Sequence, residues 1–248
     1  MNGINFIEPL FYATIKIRKK QTRRILKPQP QGNLAGMIKY TKPRHKEDFT
    51  RFDFDCGLSI DPRYKVGETL FLREPYKFYL GMHNDIGFYF KFSMVTKAFL
   101  LCDLIGSKKN EIYDMILKLT ALQNKSKTGY INKLFVPKLL QNIFPYKIKI
   151  TAVRCERLQD ISDEDCFKEG IINTHGMEDI PVGGFSYDIN SNPSSLYSTP
   201  KDAYAALINK INGHNTWESN PYVVVYDYEL VRKPFEKIED ILKRLYNE

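Results

Sequence analysis

Between Lys16 and Lys27 the chain reads Lys16-Ile17-Arg18-Lys19-Lys20-Gln21-Thr22-Arg23-Arg24-Ile25-Leu26-Lys27, which sets seven cationic side chains within twelve residues. Phosphate relieves the mutual repulsion of such a strip, so an anionic partner, nucleic acid or a nucleotide, is expected. Most charge runs are simply solvated faces. Here Ile17, Ile25 and Leu26 interrupt the charges and are expected to tie the strip into a folded core. The net charge of +8 has its source at this end: residues 1–46 hold eleven Lys or Arg against one acid, Glu8. Metal chemistry has no comparable signal. The cysteines at 56, 102, 155 and 166 form no CxxC pair and the histidines at 45, 83, 175 and 214 no HxxxH pair. Zinc-ligand spacing is therefore absent, and reduced, mostly buried thiols with no metal and no cofactor are expected.

The elements that must position these residues follow from local pattern. Residues 3–7 and 22–27 read as strands around a short apolar segment, Pro9 to Ile15, that suits one helix. Residues 31–66 are polar and turn-rich and read as a loop. Thr69–Tyr76 reads as a strand, with Gly87–Phe92 as its partner. Asn110–Gln123 carries Ile112, Met115, Ile116, Leu119 and Leu122 at helical spacing. Tyr146–Arg157 alternates Tyr146, Ile148, Ile150 and Ala152 against Lys147, Lys149 and Thr151, the period of a half-buried strand.

Ser162 caps a short helix that stops at Gly170. Residues 172–198 read as a long loop. Thr199-Pro200-Lys201-Asp202 opens a helix with Tyr204, Leu207, Ile208 and Ile211 inward and Gly213 beyond its end. After Asn220-Pro221 a strand carries Tyr222, Val224, Tyr226, Tyr228 and Leu230 on one face, and Pro234 begins a terminal helix.

A composition of 43% hydrophobic and 27% charged residues excludes a disordered chain. No apolar run approaches the roughly 20 residues that span a bilayer, and the N-terminus lacks the features of a secretory signal. A cytoplasmic protein is expected. Strands and helices mix without regular βαβ alternation and without a Gly-rich phosphate loop. The expected class is α+β, a mixed sheet or small barrel decorated by helices, rather than a Rossmann-type fold.

Four segments in order resemble phage-associated ASCH-domain proteins. They are Lys19-Lys20-Gln21-Thr22-Arg23-Arg24 with Lys27-Pro28-Gln29-Pro30; Gly67-Glu68-Thr69-Leu70-Phe71-Leu72-Arg73-Glu74; Val153 to Ser162 running on through Glu169-Gly170-Ile171; and Asn220-Pro221-Tyr222-Val223-Val224. The resemblance covers most of the chain apart from roughly 97–133 and the terminal helix. It implies a single PUA-like domain over 1–233 with a helical insertion near 97–133, the helix 234–248 packed on it, and a bacterial or phage-infected host cell. The PUA-like superfamily contains RNA binders and modified-base readers.

Some ASCH proteins are amidohydrolases that deacetylate acetylcytidine nucleosides, and others have been described as ribonucleases. The amidohydrolase site is a Lys, a Thr three residues later and a Glu after the following helix. These positions match Lys19, Thr22 and Glu169. Where the family has Gly two residues before that Lys and Thr one residue after it, this chain has Ile17 and Lys20.

The resemblance implies Thr22 as nucleophile, Lys19 as its base and Glu169 as the orienting or proton-relaying group. A Thr hydroxyl needs an adjacent base, and a Lys among other cations has the depressed pKa that suits one. In a regular strand Lys20 shares a face with Thr22, so Lys20 is the alternative base; Lys19 shares it only if the strand begins after Lys19. Glu169 is equally suited to pairing with Arg23 or Arg24. Arg18, Arg23, Arg24 and Arg73 are candidates to hold phosphate and Glu74 to hold a base edge, with a cross-strand ion pair the alternative for Arg73 and Glu74. Tyr76, Phe78 and Trp217 suit either base stacking or the core, and Tyr222 and Tyr226 the core alone. The expected partner is RNA rather than DNA, or a modified nucleoside. The competing functions are an amidohydrolase, a non-catalytic reader of RNA, DNA or modified bases, and a ribonuclease.

Overall fold

Ser162 and Thr199 begin two helices by the same chemistry: each hydroxyl accepts a backbone N–H three residues on, from Asp165 and Asp202, at 3.1 Å. These caps satisfy donors that a helix N-terminus leaves without partners. The computed structural model describes residues 2–41, 48–80, 85–100, 109–131, 144–178, 183–188 and 196–231. In chain order the elements are β1 (Gly3–Asn5), α1 (Glu8–Ile15), β2 (Gln21–Ile25), β3 (Leu34–Thr41), β4 (Asp48–Phe54), β5 (Ser59–Ile60), β6 (Thr69–Arg73), β7 (Tyr76–Leu80), β8 (Asp85–Phe90) and β9 (Thr96–Leu100). Then come α2 (Lys109–Lys125), β10 (Lys147–Arg157), α3 (Asp163–Lys168), β11 (Ile172–Asn173), β12 (Phe185–Ser186), α4 (Pro200–Asn212) and β13 (Tyr222–Val231). The fold is α+β, built of several small sheets and few helices, and none of the sheets closes into a barrel among the described residues. The helix expected at 234–248 lies outside them.

The chain forms two compact units. One draws on Met1–Phe6, Leu70–Lys147 and Val231–Glu248, the other on Ile7–Thr69 and Ile148–Leu230. In the first, β1 lies parallel to β6, and β7, β8 and β9 form an antiparallel sheet. One face of that sheet carries Tyr76, Phe78, Ile86, Phe88 and Phe90 into a core that Met115 and Leu119 of α2 complete. The strand expected over Thr69–Tyr76 is two strands. Glu74-Pro75 interrupts it, because proline offers no N–H to a ladder.

In the second unit β10, β13 and β2 are consecutive neighbours, with β13 antiparallel to β2 and Tyr226 opposite Thr22. Residues 222–226 are all buried, so β13 is covered on both faces, beyond the single apolar face its alternation indicated. The inward set of β10 is Ile148 and Ile150, then Val153 and Cys155; Thr151 and Ala152 are both exposed, so the face shifts there and Ala152 is not inward. The region 31–66 corrects the expectation of a loop: β3 and β4 form a long hairpin and β5 adds to it. Its Phe52 and Phe54 are buried, a burial that alternates with Asp53 at a period of two. The long loop expected at 172–198 contains a short antiparallel pair, β11 with β12. Two residues expected in the core are exposed, Ile17 at 41% and Ile211 at 38%, whereas Leu26 is buried.

Candidate functional site

Lys19 is placed by the way α1 ends. Ile17 adopts a left-handed conformation, φ 61°, and the backbone N–H groups of Arg18 and Lys19 both fold back onto the carbonyl of Ala13, at 2.9 and 3.0 Å. β2 begins only at Gln21. The strand therefore starts after Lys19, and the pleat does not dictate where its side chain goes. The ammonium turns inward and is 1% exposed. Its Nζ donates to the carbonyl of Gln21 at 2.7 Å, the carbonyl of Glu169 at 2.8 Å and Glu169 Oε2 at 2.6 Å. Three N–H donors meet three acceptors. Burial pushes the Lys19 amine below its ordinary 10.5; the nearby Arg24 and Arg23 add to this, and together they outweigh the opposing pull of Glu169.

Glu169 caps the C-terminal end of α3, and the next residue, Gly170, has φ 105°. A Cβ on Gly170 would lie 3.2 Å from Leu10, 3.5 Å from Ala13 and 3.6 Å from Lys19. Glycine there supplies the backbone conformation and lets the end of α3 approach α1. That approach brings both the carbonyl and the carboxylate of Glu169 onto Lys19. The second carboxylate oxygen accepts from Arg23 at 3.2 Å.

Arg23 holds the rest of the network. Its guanidinium donates to Gln21 Oε1, twice to Glu156 at 2.7 and 3.0 Å, and to Asp165 at 2.9 Å. Burial opposes its charge, yet Glu169 foremost, then Tyr204 and Glu156, raise its pKa further above the ordinary arginine value. Arg154 reaches Glu156 at 3.0 Å, Asp227 at 2.9 Å and also Asp165, and Gln21 donates to Asp227 at 2.6 Å. Asp165 is partly buried, which disfavours its charge, but Arg23 and Arg154 hold its carboxyl below the ordinary 3.8. Lys19, Arg23 and Arg154 thus face Glu156, Asp165, Glu169 and Asp227. Two of the seven cations of the basic strip, Lys19 and Arg23, are neutralised from within, while Lys16, Lys20 and Lys27 are exposed and Arg18 and Arg24 half-buried.

Thr22 is 4% exposed. Gln21 and Arg23 on either side of it meet each other on one face of β2, so the pleat directs Thr22 to the other face, across from Tyr226. Its hydroxyl is not among the hydrogen-bond partners of Lys19 Nζ or the Glu169 carboxylate given above. The structure therefore brings Lys19 and Glu169 into contact, with Thr22 at the start of the strand that Lys19 precedes. Lys20, the alternative base, is exposed; its backbone N–H donates to Lys168 and its carbonyl accepts from Tyr228.

Arg73 and Glu74 belong to the other unit. Arg73 lies over the Phe71 ring, 5.4 Å from its centroid, and Glu74 Oε2 accepts the backbone N–H groups of Phe92 at 2.6 Å and Ser93 at 2.7 Å. Burial nevertheless raises the Glu74 carboxyl above its ordinary value. Tyr76, Phe78, Tyr222 and Tyr226 are buried core residues. Trp217 is half-buried and meets Tyr204 edge-on at 6.2 Å.

Sequence reasoning overlooked Gln21, Arg154, Asp165, Asp227 and Tyr204. Gln21 with Arg23, and Arg154 with Glu156, share strand faces at a spacing of two, which is a readable signal; the approach of Asp227 to Gln21 depends on register and is not. Tyr204 Oη is buried with no partner among the described residues. Those residues contain no group of three His, Cys, Asp or Glu able to hold a metal. Cys155 and Cys166 are buried free thiols, each pushed up to about 12 by burial. No helix among the described residues is long and apolar enough to cross a membrane. Neither a family model, nor a curated protein, nor a solved structure matches the chain.

Proposed function

We propose that this chain is a nucleic-acid or modified-nucleoside binding protein of the PUA-like ASCH type, and that Lys19, Thr22 and Glu169 make it an amidohydrolase acting on acylated cytidine-like nucleosides. The observation that carries the reading is the 2.6 Å contact between Glu169 and a fully buried lysine whose pKa is lowered. The two residues lie 150 positions apart, and they are two of the three that the family resemblance assigns to one site. The family's glycine falls on Ile17, and φ at Ile17 is 61°, a conformation glycine adopts without strain.

In this mechanism Lys19 acts as the neutral amine. Losing a proton leaves it two N–H donors and a lone pair, so one of its three hydrogen bonds is released; because the pleat sets the Thr22 hydroxyl on the other face of β2, Thr22 must turn toward that lone pair when substrate binds in order to give up its proton. A bond forms from Thr22 Oγ1 to the acyl carbon, the C–N bond breaks, and the proton held by Lys19 passes to the leaving amine of the base. Water then attacks the threonine ester, Lys19 again takes the proton, and the free acid and Thr22 hydroxyl are regenerated. Glu169 keeps the amine in place throughout.

A second reading, a non-catalytic base reader, is favoured by the saturation of Lys19 and Arg23 with internal acceptors. Incubation with acetylcytidine decides between them. Release of cytidine and acetate that disappears in Thr22→Ala supports hydrolysis; turnover that is absent, or unchanged in that variant, overturns it, and saturable binding without turnover identifies a reader.

A further inference from the structure

The β7–β8–β9 sheet buries one face, and its other face carries lysines and tyrosines. Register places Lys77 directly opposite Tyr89 and Tyr79 opposite Gly87, so these four share that face, with Lys91 two residues beyond Tyr89. The Tyr79 ring lies over Gly87, where a Cβ has no room, and Tyr79 is 42% exposed. The absent side chain of Gly87 is what lets the ring lie against the sheet.

Tyr130 is brought to the same face by a fastened turn. Gln123 at the end of α2 clasps both backbone groups of Phe78, at 2.8 and 3.0 Å, and Ile131 exchanges two backbone bonds with Tyr76. Between them Gly129, φ 69°, turns the chain beside Lys77. Lys77 Nζ is 4.4 Å and Lys91 Nζ 5.7 Å from the Tyr130 ring centroid, and Tyr89 lies 6.4 Å from the same ring. Two ammonium groups therefore converge on one ring. Neither has an ion-pair partner among the described residues. Lys125 and Lys127, both exposed, lead into Tyr130.

We propose that this face binds single-stranded nucleic acid, with phosphates held by Lys77 and Lys91 and bases stacked on Tyr79 and Tyr89. The inference rests on the reading of the protein as a nucleic-acid binder but not on hydrolysis. Converging ammonium groups without a counterion attract phosphate, and planar rings beside them accept bases whatever their sequence. A duplex offers no exposed base faces to such a surface.

The test is fluorescence anisotropy of the full chain with a labelled oligouridine of about 12 nucleotides, a length within the usual range of single-strand sites, across roughly 50 to 200 mM salt. The expected result is binding that Lys77→Ala/Lys91→Ala weakens while lowering the slope of log affinity against log salt by about 1.4, about 0.7 per lost phosphate contact. Tyr79→Ala and Tyr89→Ala are each expected to weaken binding about 5- to 150-fold. Lys77→Arg/Lys91→Arg, which keeps the charges, is expected to retain binding, and circular dichroism checks that each variant folds.

No binding by the unsubstituted protein, an unchanged slope in the double alanine variant, or equal affinity for a duplex or polyglutamate overturns the proposal. Acetylcytidine turnover is read separately. A protein that binds the oligonucleotide through this face without turnover keeps this inference and loses the hydrolase reading, and one that turns the nucleoside over without binding does the reverse.

Discussion

Glu169 holds Lys19 twice, through its carboxylate at 2.6 Å and its own carbonyl at 2.8 Å, and the same carboxylate reaches Arg23 at 3.2 Å. Arg23 has two further carboxylates, and Lys19 also donates to the carbonyl of Gln21. Loss of the Glu169 charge therefore takes from a buried ammonium the carboxylate it touches at 2.6 Å. Glu169→Gln is expected to cost about 3–5 kcal/mol in chemical denaturation, and Lys19→Met less, because Glu169 keeps Arg23. A denaturation midpoint for Glu169→Gln equal to that of the parent contradicts this account.

Lys19 also gives stability a dependence on alkaline pH. Burial, with Arg24 and Arg23, lowers its pKa in the folded protein below 10.5, so between the lowered value and 10.5 the unfolded chain binds a proton that the folded chain has released. Stability is expected to rise with pH across that window, and the rise to vanish in Lys19→Met. If Lys19 is the base, kcat/KM rises through the same titration. Denaturation midpoints and initial rates at stepped pH measure the two effects.

Asp165 sets the acid limb. Burial works against its carboxylate, but Arg23 and Arg154 prevail and hold its folded pKa below 3.8. Its contribution is fully present above 3.8 and is lost as pH falls through the folded value. Acid titration of Asp165→Asn, followed by circular dichroism, is expected to show a shallower decline below pH 3.8 from a lower starting stability.

Ile17 is a β-branched residue at φ 61° with 41% of its surface exposed. Replacement by glycine relieves the strain and surrenders little burial, so Ile17→Gly is expected to stabilise by about 1 kcal/mol after the entropy of the added glycine is counted. Gly170→Ala goes the other way. At φ 105°, with Leu10 at 3.2 Å, it is expected to cost about 1–3 kcal/mol. Thermal unfolding of both variants gives opposite shifts.

Tyr204 Oη is buried without a partner among the described residues. Removing a hydroxyl that makes no hydrogen bond loses none, so Tyr204→Phe is expected to be neutral or stabilising by up to about 1 kcal/mol. A loss of more than about 1 kcal/mol in urea denaturation points instead to a bound water or ligand on that oxygen.

Local chemistry made much of this protein legible in its sequence. The caps at Ser162 and Thr199, the proline opening α1, Gly170 and Gly213 at helix ends and the apolar period of α2 act within a turn or two, so the residues that cause them stand beside their effects. The hairpin of β3 and β4 was hidden because 31–66 is polar and turn-rich, and its ladder is made by pairing rather than by a continuous apolar run.

The charges were legible as charges only. Seven cations in twelve residues state a need for anions, yet nothing within those residues says that Glu156, Asp165 and Glu169, more than a hundred positions away, answer part of it from inside. That Lys19 is buried, with its pKa lowered, follows from how α1 turns at Ile17 and how Gly170 lets α3 approach. Sequence determined which groups are present and how each short segment bends; tertiary structure alone decided which charges meet, because a counterion is chosen by proximity in space.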